Sequence, residues 1–215
     1  MIKIGDDGKK ASAIELNCET DFVARNDDFR NSAEAFLNAA FKAETGSIAD
    51  LLQEEVDGLS IEKQLDEMVG KIGEKIELSR VVFVETDGEL VKYIHPGNQL
   101  GVIAEFESEV DDKEVANDVA MQIAAMNPLA VTREGVDTSV VEKELEIAKE
   151  QLLNEGKPEE IAEKAAKGKL RRFYEERVLL EQKFVKDNSI SVKEYLEQND
   201  TPLVKTFHRL QLGES

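Results

Sequence analysis

The chain has 215 residues, 41% hydrophobic and 34% charged, enough apolar material for one large or two small cores. Its 46 acids against 27 bases leave a net charge of −19, which repels phosphates over a Debye length and makes nucleic acids and anionic membranes poor partners. No apolar run approaches the ~20 residues of a membrane span, no signal peptide opens the sequence, and the single cysteine, Cys18, excludes an internal disulfide. A cytoplasmic protein is expected; an organelle stroma or matrix fits equally well.

In chain order, Ile2 to Ile4, the turn Gly5-Asp6-Asp7-Gly8 and Ala11 to Leu16 read as a hairpin. From Asp28 onward, Phe29, Ala33, Phe36, Leu37, Ala40 and Phe41 recur at the helical period. A short helix is expected around Ile48 to Glu55. A longer one opens at Ser60, with Ile61, Leu65, Met68, Val69, Ile72 and Ile76 aligned. Strands follow at Ser79 to Glu85, Leu90 to Ile94 and Gly101 to Phe106, the last two joined by His95-Pro96-Gly97-Asn98. After the acidic loop Glu107 to Asp112, Val115, Val119, Ile123 and Met126 mark another helix, so the order of the first half repeats.

The third region differs. Ser139 with Glu142 spells a capping box, and Val141, Leu145, Ala148 and Leu152 form a seam. Asn154-Glu155-Gly156 stops that helix and Pro158 restarts a second one through Ile161 and Ala165, giving an antiparallel helical hairpin. It reads either as a dimer arm or as a solvated strut. Strand character returns at Val178-Leu179-Leu180 and Phe184-Val185. Ser191 with Glu194 caps a short helix, and a last strand runs from Leu203 to Leu212. The fold class is α+β: two related subdomains, each a small antiparallel sheet flanked by helices. Residues 1–80 form the first, 81–137 and 178–215 the second, and 138–177 the helical-hairpin insertion.

Between the first hairpin and its helix stands Thr20-Asp21-Phe22-Val23-Ala24-Arg25. A connecting turn belongs at the surface, yet exposing a phenylalanine forgoes burial worth roughly 1.5–3 kcal/mol. Phe22 either folds into its own core or is held out for a partner. The second copy of the repeat has only an acidic loop here, so the segment is no requirement of the repeat itself.

The stretch Glu15 to Asn26 (Glu-Leu-Asn-Cys-Glu-Thr-Asp-Phe-Val-Ala-Arg-Asn) resembles the hallmark segment of the elongation factor Ts family. Further segments resemble the family in the same order: Lys71-Ile72-Gly73-Glu74, His95 to Val102, Met121 to Pro128, Glu155 to Lys164 and Gln182 to Val185. The resemblance implies a guanine-nucleotide exchange factor whose partner is elongation factor Tu. It places Thr20, Asp21, Phe22 and Val23 against the partner's nucleotide domain, where they dislodge magnesium. Arg25, His95 and Gln122 are carried as further partner-binding positions; some members have histidine where Gln122 stands. A homodimer through core or hairpin stays open. The resemblance implies no cofactor, metal or bond chemistry of the chain's own. Met1 lies only about a dozen residues before the core strand, so the family's N-terminal ubiquitin-associated-like module is expected to be missing.

Rival classes fare less well. Acids beside Cys18 raise a thiol's pKa, the wrong direction for a nucleophile. His95 and His208 lie far apart without cysteine neighbours and make no zinc site. There is no Gly-x-x-x-x-Gly-Lys loop, so the GTPase must be the partner. An acidic helical scaffold without exchange activity is the alternative, and it should tolerate Phe22→Ala.

Overall fold

The computed structural model describes residues 1–213. The chain is α+β, and its strands and helices divide between two compact units, residues 1–109 with 208–213 and residues 110–207.

In the first unit, β1 (Ile2–Ile4) and β2 (Lys10–Cys18) form the expected antiparallel hairpin. A four-residue helical turn, α1 (Asp21–Ala24), precedes α2 (Asp27–Ala43), α3 (Ile48–Gln53), the ribbon of β3 (Glu55–Val56) and β4 (Leu59–Ser60), and α4 (Ile61–Ile72). Then come β5 (Ile76–Glu85), β6 (Glu89–Ile94) and β7 (Leu100–Phe106). The long pairing is β2 on β5, antiparallel from Lys10↔Glu85 to Cys18↔Ile76, with a register shift between Glu15 and Leu16. Ser79 is the residue left over on β5 at that bulge; its hydroxyl donates to the Glu15 carbonyl at 3.4 Å and accepts from the Asn17 amide at 2.9 Å. A bulge adds twist, here just ahead of the strand end that carries α1.

One core lies between this sheet and the helices: Ile14, Leu78 and Val81 meet Phe29, Phe36 and Leu37 from α2 and Leu51, Ile61 and Leu65 from α3 and α4. A second joins Ile2, Ala11, Ala13 and Val84 to Leu90 and Ile103. The sheet is thus buried on both faces at Ala11 to Ile14, which is why that stretch reads as a run of small and apolar residues rather than a clean alternation. Residue 80, expected as a subdomain boundary, falls inside β5. The reading that aligned Ile76 with α4 is corrected: Gly73, at φ 78°, ends the helix in the left-handed region, and Ile76 is the first residue of a strand.

The second unit opens with α5 (Lys113–Met126), capped by Asp112. The hairpin α6 (Thr138–Asn154) and α7 (Glu159–Arg177) follows, turned by Gly156 at φ 81°. The Ser139–Glu142 box does not form. Asp137 is the N-cap instead, accepting from the Ser139 amide at 2.7 Å and its hydroxyl at 2.6 Å, because a charged acceptor suits the positive end of a helix better than a hydroxyl. The arm's seam is Ala148 and Leu152 against Ala162 and Ala166, with Ile161 54% exposed. Val178-Leu179-Leu180 is not a strand: Leu179–Glu181 is a 3-10 turn. The ribbon β8 (Lys183–Phe184) and β9 (Asp187–Ser191) leads to α8 (Val192–Gln198), whose Ser191–Glu194 capping box is complete. Finally comes β10 (Val204–Gln211), whose residues from His208 onward belong to the first unit, where the sheet is ordered β10-β7-β6.

Candidate functional site

The sequence Thr20 to Asn26 builds two helix starts in succession. Thr20 has extended backbone (φ −124°, ψ 150°) and caps α1, its hydroxyl oxygen accepting from Val23 N at 3.5 Å. Asn26 then caps α2, accepting from Asp28 N at 2.8 Å and Phe29 N at 3.3 Å. Between them only one helical turn fits. Arg30 closes its far end, Nε donating to the Ala24 carbonyl at 3.1 Å.

On that turn the two apolar residues part company. Val23 is half-buried and packs against the core of the first unit. Phe22 is 84% exposed, the most exposed large apolar side chain among the described residues. Asp21 and Arg25 flank it, paired at 3.0 Å with both side chains in solvent, a geometry worth little to stability. The turn therefore presents an aromatic ring between an acid and a base on a frame fixed from behind.

The frame includes a residue to which the sequence reading gave no role. Glu74 accepts from the Thr20 hydroxyl at 2.8 Å and from the Thr20 amide at 3.1 Å, through different carboxylate oxygens. Its segment, Lys71 to Glu74, stood out in the sequence only as part of the resemblance. Behind the turn, the Cys18 thiol donates to the Thr20 carbonyl at 3.3 Å. Burial, and then the Glu74 charge, push that thiol's pKa up, so it is poorly suited to nucleophilic work.

Of the remaining expected positions, His95 belongs to the first unit and Gln122 to the second. His95 is exposed in the β6–β7 turn, its Nδ1 3.1 Å from the Tyr93 hydroxyl. Gln122 is the correction: at 0% exposure it has no surface to offer a partner. Its amide nitrogen donates to the Gln182 side chain and the Lys183 carbonyl, both at 3.1 Å, and its oxygen accepts from Val185 N at 2.8 Å. An amide can satisfy donor and acceptor together, and here it organises residues 182–185 from beneath.

With this geometry in view, a family model described as elongation factor TS matches residues 19–214. The chain is 46% identical to the elongation factor Ts of Amoebophilus asiaticus, over 93% of this chain and 73% of that protein. It is 44% identical to that of Christiangramia forsetii, over 99% and 77% respectively. Against that of Aquifex aeolicus it is 41% identical over 98% and 77%.

Proposed function

The chain belongs to the elongation factor Ts family, and from that membership we propose that it promotes nucleotide exchange on elongation factor Tu during translation elongation, with the α1 turn as the working element. The observation that carries this reading is the Phe22 ring, 84% exposed on a turn whose neighbour Val23 is packed down. A rigidly presented aromatic can enter a gap between packed elements of a GTPase, and such packing is bistable rather than continuously deformable. Asp21 beside it supplies a carboxylate able to compete for polar contacts near the partner's magnesium. Magnesium bridges the phosphates of bound nucleotide, so loosening its site weakens GDP. Thr20 and Val23 serve as cap and anchor.

Linkage completes the cycle. A factor that lowers GDP affinity must itself be bound less tightly when GDP is present, by the same ratio. GTP excess then sets the direction. The chain performs no bond chemistry in this scheme.

Stopped-flow release of fluorescent GDP from elongation factor Tu tests it. The full chain at micromolar concentration is expected to accelerate release. Phe22→Ala should cut the acceleration at least about tenfold, the usual cost of truncating a central aromatic contact, with the melting temperature unchanged because the ring supports nothing in its own fold. Folded chain without acceleration would defeat the reading. Equal activity of Phe22→Ala would remove the α1 turn as the working element, while the acidic scaffold would bind without accelerating release at all.

A further inference from the structure

We infer that Glu74 is a positioning residue of the exchange wedge, holding α1 at the angle from which Phe22 works; this rests on the reading of Phe22 above.

A four-residue helix has no stability of its own, since nucleation costs more than one turn returns, and α1 buries none of its residues fully. Something outside it must set its direction. The β2–β5 ladder ends at Cys18↔Ile76. Continued by two rungs, it would pair Glu19 with Lys75 and Thr20 with Glu74. Instead side chains take over at those rungs, in a reciprocal clip. The Glu19 carboxylate accepts from Lys75 N at 3.3 Å, and the Glu74 carboxylate accepts from Thr20 N and Oγ1. The chain therefore leaves the sheet with its last amide still tethered, and the first residue of the wedge points where Glu74 directs it.

Gly73 makes the clip reachable. Its left-handed backbone turns the chain sharply at the end of α4, and Glu74 follows directly. A carboxylate also suits the position better than an amide. Both of its oxygens accept, matching the two donors of Thr20, whereas glutamine offers one acceptor oxygen, can meet the hydroxyl only by donating to it, and carries no charge. Glu74 touches Thr20, not Phe22, so its influence on a partner runs through the turn.

The test uses the variants Glu74→Ala, Glu74→Gln, Thr20→Val and Phe22→Ala of this chain in the fluorescent-GDP assay, titrated against elongation factor Tu. Glu74→Ala is expected to lower the maximal release rate about tenfold, what a charge-assisted hydrogen bond is worth. The concentration giving half that maximum should move less than about twofold, because uniform binding is untouched. Glu74→Gln, keeping the contacts without the charge, should fall between Glu74→Ala and the parent. Thr20→Val combined with Glu74→Ala should cost less than the two single losses added, as for groups sharing one contact, the excess over Glu74→Ala being the cap that Thr20 also gives α1. Amide hydrogen exchange should quicken at Thr20 and Val23 in Glu74→Ala and stay slow in the β2–β5 core. Full maximal rate in Glu74→Ala, with Phe22→Ala inactive, overturns the positioning role alone. Full rate in both variants overturns it together with the reading of Phe22 as the working residue. A loss matching only the fraction of unfolded chain, measured by circular dichroism, also overturns it.

Discussion

Phe22 and Val23 are consecutive residues of a helix with 3.6 residues per turn, so their side chains diverge by about 100° and only one can reach the core. Val23 takes the inward place, and the caps at Thr20 and Asn26 leave no room to rotate the turn. That is how a ring with ordinary core chemistry comes to stand in water. Residue-level chemistry also makes one pH prediction. The Tyr195 ring stacks on Phe184 at 3.9 Å, and its hydroxyl donates to Asp118 at 3.1 Å. Burial, then the Asp118 charge, push its pKa up to about 12. The phenol is an acid whose value is raised by folding, so its contribution to stability is intact below the unfolded value near 10 and is lost as pH rises through about 12. Absorbance at 295 nm should show one phenol lagging in native protein, and Tyr195→Phe should remove that lagging step.

Elements gain their positions from a few small residues. The α6–α7 hairpin closes on Ala148, Ala162 and Ala166, with Leu152 as its one large buried residue. The small side chains let the helices approach, and Ile161 is left outside although it lies at a seam-like spacing. Surface pairs such as Lys149 with Glu163 at 2.7 Å stay partly in solvent and add little. Ala162→Leu, overfilling the seam, is therefore expected to destabilise the second unit by about 1–3 kcal/mol, while Ile161→Ala changes stability by no more than about 0.5 kcal/mol. Urea denaturation of the two variants measures the difference. At the same scale, α1 depends on the end of a bulged strand, on the turn after α4 and on Arg30 of α2. Three separate elements aim four residues.

For the whole molecule the dominant number is the charge of −19. Among the described residues no helix is long and apolar enough to cross a membrane. A strongly acidic protein could recognise a partner through its field alone, and long-range attraction falls steeply with salt. If the Phe22 turn carries recognition, affinity for elongation factor Tu should weaken only modestly, by less than about tenfold, between low and moderately high ionic strength. Titration calorimetry across a salt series checks this, and a steep loss would assign recognition to bulk charge.

The sequence alone determined the family and most of the elements, because helical and strand periods are written locally in residues such as Phe29, Ala33 and Phe36, and because hallmark segments survive as strings. It also isolated Phe22 as a residue needing an explanation, without settling whether the ring turned in or out. Tertiary structure decided that question, since exposure depends on what else occupies the space around a turn: Val23 fills it, and Phe22 cannot. The burial of Gln122 and the grip of Glu74 on Thr20 were equally beyond a linear reading. Gln122 meets partners 60 or more residues away and Glu74 meets Thr20 across 54. Hydrogen bonds of that kind exist only once the backbone has brought the two segments to one place.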